Sequence, residues 1–287
     1  MKYEFIERER SEFSIERMCR LFEVSRSGFY GWKRQKGNGK RMKEDQALLE
    51  LIKESFKESR ETYGSPRMTI DVREKGLPCG ENRVARLMRK NNIAAKTKRK
   101  FKATTQSKHN LPVAPNLLKR NFSASAPDQI WLSDITYVWT EEGWLYLAVI
   151  LDVFNRQIVG WGMGDRLTAD LVLRAFHQAV GMRHPAPGLL FHSDRGVQSA
   201  CSDFRTVLQD YKMVQSMSGK GNCYDNAMME TFFHTLKTEL IYFRKYLTRL
   251  VAKGEIFEYI GVFYNRIRRH SSLGYQSPQV FEQQYLT

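Results

Sequence analysis

An α/β chain with a mixed-sheet core and helical modules on either side is what this sequence predicts, on three observations. Three strand-like apolar runs, IWLSDITYVW, WLYLAVILDV and RQIVGWGMG, follow one another from Gln129 with only short polar turns between them, as in an antiparallel meander. Downstream, helical and strand patterns alternate, so further strands must join the meander through helical crossovers. Upstream, the apolar residues recur at helical spacing, and that region carries all of the chain's excess positive charge.

The charge is the cleanest of the three signals. Of the 287 residues, the first 127 hold 30 Lys and Arg against 15 Asp and Glu, whereas the remaining 160 hold 16 of each. The net charge of +15 is therefore confined to the amino-terminal part. From Asn82 to Pro127 there are 12 basic residues and no acid. A solubilising face is the plain alternative, but a one-sided excess of this size fits an anionic polymer, and nucleic acid is the natural partner. No apolar run approaches the ~18 residues of a membrane span, and the opening MKYEFIERER is too charged for a signal peptide. The four cysteines are scattered without zinc spacing, as free thiols in a cytoplasmic protein would be.

The chain divides into four expected regions. In residues 1–44, Ser14 caps a helix over IERMCRLF and Ser25 caps a second over RSGFYGWKRQ. Helix, tight turn and helix make a helix-turn-helix-like module in which Arg26, Lys33 and Arg34 face DNA; an ordinary helical hairpin has the same spacing. Lys36 to Lys43 reads as a linker. Residues 45–123 form a basic helical module. Leu48, Leu49, Ile52 and Phe56 line one face of its first helix, and Val84, Leu87 and Met88 oppose Arg83 and Arg86 in its last. The segment around Lys98, Arg99 and Lys100 reads as an arm that orders on DNA, and Pro112, Pro115 and Pro127 punctuate a linker.

Residues 124–246 hold the core. After the meander come a helix capped by Thr168, the strand LLFHSD, a helix near SDFRTVLQDY, the short strand MVQSMS and the helix NAMMETFFHTLKTELIYF. This order describes a mixed sheet of the ribonuclease H type. In residues 247–287, a helical region, Ile256, Tyr259, Ile260 and Phe263 make a packed stripe, and Arg266, Arg268 and Arg269 a basic cluster able to grip DNA.

Three acids stand where chemistry would need them. Asp134 and Asp194 close two apolar strands that neighbour each other in this architecture, and Glu230 lies about a turn into the last core helix. Asn226, four residues before it, and Lys237, seven after, share its face. Crowded carboxylates raise one another's pKa, and two divalent cations resolve the repulsion because hard ions take oxygen ligands. Such a pair supports in-line displacement at phosphorus. Asp134, Asp194 and Glu230 are accordingly both the catalytic and the metal-holding candidates. Singly each is weak, since a strand-end aspartate is commonly a turn residue; Asp152 in VILDVF is either that or a supporting neighbour. His192, beside Asp194, either tunes it or is structural.

WLSDITYV, LDVFNRQIVGW, HSDRGVQS, SMSGKGNCYDNAMMETFFHTLKTE and, outside the core, TYGSPRM, NRVARLMRKNNI and YNRIRRHSSLGYQSP resemble the second-frame transposases of bacterial insertion sequences, whose core is like that of retroviral integrases. The resemblance rests on two aspartates and a glutamate with 35 residues between the last two, as Asp194 and Glu230 have. It departs from the family pattern at Ser199 and Thr231, neither a metal ligand. Membership implies Mg²⁺-dependent cutting of one strand at each element end and transfer of the 3′-hydroxyl to target DNA, using two ions for which Mn²⁺ substitutes. It implies terminal inverted repeats and target DNA as partners, a homo-oligomer on that DNA, and fusion to an upstream-frame product. It also implies a nucleoid-associated protein of the bacterial cytoplasm. Lys237 matches the position that contacts terminal nucleotides; a solvated helix lysine is its plain alternative. A nuclease of the same fold without strand transfer, and a catalytically silent DNA-binding regulator, are the competing functions.

Overall fold

A computed structural model describes residues 1–36, 39–96, 112–219 and 223–286. Two compact units emerge, one of Met1–Glu58 with Gly64–Ala94 and one of Ser59–Tyr63 with Ala95–Thr287.

In the first unit, α1 (Lys2–Arg8), α2 (Ile15–Leu21) and α3 (Arg26–Lys36) enclose Ile6, Met18, Cys19 and Phe29. The caps are those the sequence predicts, with Ser14 Oγ accepting from the Arg17 amide and Ser25 Oγ from that of Gly28. The turn between α2 and α3 uses Glu23 at φ 53°, the left-handed region glycine usually fills. The expected linker is largely absent, because α4 (Gly39–Glu58) begins almost where α3 ends. α5 (Ser65–Glu74) and α6 (Glu81–Lys90) pack with α4, burying Leu48, Ile52, Met68, Val72, Val84 and Leu87.

The second unit is built on β1 (Ile130–Thr140), β2 (Gly143–Asp152), β3 (Ile158–Gly164), β4 (Leu190–Ser193) and β5 (Val214–Met217). Their order is β3-β2-β1-β4-β5, with the first three antiparallel and β4 and β5 parallel to β1. This is the ribonuclease H-like mixed sheet. α7 (Ala169–Arg183), the short α8 (Val197–Ala200) and α9 (Ser202–Asp210) lie between the later strands in sequence, and Trp131, Phe176, Phe191 and Phe204 meet on that face. Gly160 and Gly162 allow α7 to sit directly on β3; a Cβ at 160 would come within 2.2 Å of the Ala175 carbonyl. Thr168 occupies the N-cap position of α7, but its hydroxyl makes no capping bond.

On the other face, α10 (Ala227–Glu239) and α11 (Arg249–Glu258) bury Met229, Phe232, Leu236 and Ile256 against Leu132, Val138 and Val149. Past α11 the chain continues as a π-helix, Tyr259–Ile267, before α12 (Pro278–Leu286). Tyr259, Ile260, Phe263 and Tyr264 belong to the same buried cluster. The carboxy-terminal region is therefore not separate from the core, as the sequence reading divides it; its apolar stripe is part of that core. The proline-rich stretch after residue 111 is likewise more than a linker. Leu118 is buried in the core, and the Leu117 and Leu118 amides donate to Ser216 Oγ on β5.

Candidate active site

β4 is short, and its parallel pairing with β1 ends at Ser133 opposite Ser193. One residue further on, Asp194 follows the end of β4 beside Asp134, which lies in the middle of β1. Side chains alternate along β1, so Asp134 shares the face of Leu132 and Val138, the face covered by α10. Its Oδ1 accepts from the Ile135 amide at 2.7 Å, while Asp194 Oδ1 accepts from the Gly196 amide at 3.0 Å. A Cβ at Gly196 would press on that same Oδ1 at 3.0 Å, so the backbone approaches the carboxylate closely.

Glu230 is the fourth residue of α10 and is exposed. Asn226, at the N-cap position, is buried, and its Nδ2 donates to the Ser133 carbonyl at 3.3 Å, tying the start of α10 to the strand residue before Asp134. Asn226 Oδ1 has no hydrogen-bond partner among the described residues. A buried oxygen left so is costly unless water or a cation takes it.

The Asp134 carboxyl is pushed well above the usual carboxylate range, by burial first and by the negative charge of Asp194 next. Glu230 adds a smaller push in the same direction, and Lys237 pulls the other way. Partial burial also raises the Glu230 carboxyl. Among the described residues no three His, Cys, Asp or Glu side chains are gathered closely enough to hold one ion. The fold thus brings the two aspartates together and sets Glu230 on the helix above them, but without closing a three-carboxylate cage. Lys237, two turns along α10, lies with Nζ 5.3 Å from the centre of the Tyr137 ring, and its pKa is lowered by burial despite Asp134.

His192 is structural. It is fully buried, with Nδ1 2.8 Å from Ser216 Oγ and Nε2 3.2 Å from Ser218 Oγ, and burial lowers its pKa to about 4. It pairs β4 with β5 and does not tune Asp194 by a hydrogen bond that the geometry displays. Asp152, fully buried at the end of β2 and paired with Trp131 near the start of β1, accepts from the Asp128 and Phe154 amides, beside Arg183.

One residue that sequence reasoning missed is Asp225. Buried just before α10, it accepts from Asn116 Nδ2, Arg120 Nε and the Gly219 amide at 2.8 to 2.9 Å. Those bonds hold its carboxyl below the usual range despite burial. It fastens the loop leading to Glu230 onto the stretch read from sequence as a linker. Its only sequence signal was its place directly before Asn226.

The basic candidates separate by environment. Arg26 and Arg34 are exposed on α3, while Lys33 is half-buried, 3.2 Å from Glu7. Arg83 and Arg86 both bind Asp45, at 2.7 Å each, and together hold its carboxyl below the usual range, Arg86 most strongly. They brace α6 against α4, although Arg86 stays half-exposed. Lys98, Arg99 and Lys100 lie outside the described residues. In the last region Arg266 is exposed, and Arg269 is half-buried with its guanidinium on the Tyr275 carbonyl. The expectation fails at Arg268, which is buried and grips both oxygens of Glu239 at 2.7 to 3.1 Å. A guanidinium at that depth needs a carboxylate partner, so it is part of the core and not a hand for DNA.

Residues 124–223 and 230–286 match models of the integrase core domain, and residues 43–101 match an HTH-like domain. A transposase of Escherichia coli, InsF of insertion sequence IS3A, is 42% identical over all 287 residues, covering both chains completely. The chain belongs to the insertion-sequence IS3 transposase family. A second relative, a 31 kDa protein of insertion element IS600 from Shigella sonnei, is 46% identical, covering 93% of this chain and 98% of its own.

Among solved structures, a simian T-cell lymphotropic virus intasome chain is 15% identical with a TM-score of 0.48, covering 77% of this chain and 70% of its own. The HTLV-2 integrase catalytic core solved with magnesium is 15% identical with a TM-score of 0.45, covering 56% and 99%. It is the strand order and the integrase-core match that fix the fold. A transposase with this core is a polynucleotidyl transferase, DNA-binding and dependent on divalent metal. No helix among the described residues is long and apolar enough to cross a membrane.

Proposed function

We propose that this transposase cuts one strand at each end of its element and transfers the 3′-hydroxyl to target DNA, with Asp134, Asp194 and Glu230 holding two Mg²⁺ ions for which Mn²⁺ substitutes. The observation that carries this reading is the end of the β1–β4 register, beyond which Asp134 and Asp194 are neighbours, with Asp134 in a half-buried place that disfavours its charge. The donor set fits a hard cation: carboxylates from two strands, an exposed glutamate free of the core, and the unsatisfied Asn226 Oδ1 beside them.

Bound there, divalent ions would supply an activated oxygen nucleophile and charge neutralisation at the leaving oxygen. The chain's own groups do the rest. Ionised Asp134 provides the central oxygens, and its proton must leave before a cation binds. The Gly196 amide orients Asp194. Asn226 and Asp225 fix where α10 begins and so where Glu230 can reach. Lys237 contributes an ammonium to a phosphate or terminal nucleotide close to Asp134. In the same reading Arg26, Arg34, Lys98, Arg99, Lys100, Arg266 and Arg269 neutralise phosphates, with lesser shares for Lys33, Arg83 and Arg86. The DNA partners are the terminal inverted repeats and the target, the protein acts as a homo-oligomer on them, and an upstream-frame fusion adds end recognition.

The test is strand joining with a duplex carrying the inverted repeats that flank the coding region, pre-nicked to expose the 3′-hydroxyl. Joined product that needs Mg²⁺ or Mn²⁺ and disappears in Asp194→Asn supports the reading. Nicks without joining would indicate a nuclease, and DNA binding without any metal-dependent cleavage a silent regulator.

A further inference from the structure

Beyond β4 the far edge of β1 runs on with no strand beside it among the described residues until Thr140 pairs with Tyr246. The gap between that edge and residues 241–246 is a cavity of about 410 Å³. Its walls are aromatic: Tyr137, Trp139 and Trp144 meet edge to face at 4.9 Å, and Tyr242 lies opposite in sequence order on the segment after α10. Trp139 and Trp144 are directly paired across the hairpin yet 55% and 43% exposed. The pair braces the hairpin, yet it leaves about half of each ring in water, and an apolar surface of this kind beside a cavity marks a binding place.

The rim is cationic. Lys237, Arg244 and Lys245 line it with one acid, Glu141, which pairs with Lys245 at 3.4 Å, while Arg244 pairs with Glu255 at 3.1 Å. Lys237 also joins this cavity to the carboxylates, since it senses Asp134 and covers Tyr137. Aromatic faces beside ammonium and guanidinium groups suit a flat, electron-rich ring carried on a phosphate chain.

We propose that this groove holds an unpaired nucleobase some nucleotides away from the scissile phosphate, stacked on Trp139 with Trp144 at its edge, and with Lys237 on a phosphate between the two. The proposal rests on the DNA reading above. Holding a base out of the duplex there, five residues along β1 from Asp134, would keep the DNA open near the reacting strand end. Either the element end or the target duplex supplies such a base, and 2-aminopurine placed in one or the other tells the sources apart by which one is quenched.

The test compares binding of the full chain to a thymidine decamer and to an abasic decamer of equal charge. The unmodified protein should bind the thymidine strand about tenfold more tightly, the range a stacked base provides. Trp139→Ala should remove most of that preference and Trp139→Phe should keep it; at an exposed position neither threatens folding. Equal affinity for the two decamers, or a preference that survives Trp139→Ala combined with Trp144→Ala, would overturn the pocket. So would a change of oligomeric state in the double variant with the preference unaltered, which would make the face a protein contact. Joining activity without base preference removes the pocket and leaves the transposase; base preference without joining does the reverse.

Discussion

One cluster of acids gathers at the start of the central strand, where Asp152 pairs with Trp131, and another lies further along it at Asp134, and they are built on contrary principles. Around Asp152, the buried charge is answered. Backbone amides of Asp128 and Phe154 donate to it, and Arg183 reaches it at 3.9 Å while binding Asp128 at 2.8 Å and Glu282 as well. Burial still raises the Asp152 carboxyl to about 7. Around Asp134 burial and then the charge of Asp194 raise the carboxyl, Glu230 adds to them, and the partly buried Lys237 is set against them. Burial alone does not distinguish a functional acid from a structural one. The clusters differ in the charge set against the buried carboxyl: a guanidinium shared among three carboxylates at Asp152, and a lysine opposing the push of two further carboxylates at Asp134.

The comparison can be broken most forcefully at its active end. Asp194→Asn or Glu230→Gln should lower metal-dependent strand joining about a thousandfold, the order expected when a principal charge stabiliser is lost. Asp134→Asn should do the same while melting slightly higher without metal, because it removes like-charge repulsion. A thermal melt and a joining assay on the same preparations check both. At the structural end, Arg183→Met should destabilise the protein by about 3–5 kcal/mol, since it strands three carboxylates, yet leave joining per folded molecule within a few-fold. Denaturant titration measures it. Asp225→Asn should act between the extremes, costing about 1–3 kcal/mol from weakened bonds and lowering joining by displacing the start of α10.

The smallest effect is in pH dependence, and it sharpens the contrast. A carboxyl whose folded pKa lies above its unfolded value keeps its proton longer in the native state. Its contribution is therefore fully present below the unfolded value of 3.8 and is lost as pH rises towards about 7 for Asp152. Asp152→Asn should flatten stability against pH across that window. At Asp134 the same direction of shift appears as a competition between proton and cation, so Mg²⁺ should stabilise the protein more as pH rises. His192 acts in the opposite sense: its pKa is lowered from 6.5 to about 4, so the unfolded chain takes up a proton that the native one refuses, and stability should fall as pH drops from about 6.5 to about 4.

Strand runs and their order were legible in the sequence because alternation is a local pattern, and that order makes Asp134 and Asp194 neighbours. Partnerships were not. Nothing in the run RIRRH says that Arg268 turns inward to Glu239 while Arg266 stays in water; only the π-helical path from Tyr259 to Ile267 decides that. Prolines at 112 and 115 suggest a linker, yet Leu118 completes the core, because an extended segment can carry one anchoring side chain without showing any period. Asp225 was hidden for the same reason, its partners Asn116 and Arg120 lying more than a hundred residues away. Closure around Glu230 was beyond pattern as well, since spacing can put three acids on facing elements but cannot say how near an exposed side chain rests.

Glu230 is therefore where the account is most exposed. The decisive measurement is the rate at which Glu230→Gln joins a pre-nicked element end in saturating Mg²⁺, beside the unmodified chain on the same DNA. A loss of about three orders of magnitude with DNA binding intact is the predicted result. An unchanged joining rate would contradict the claim that this helix completes a metal site begun by the two strands.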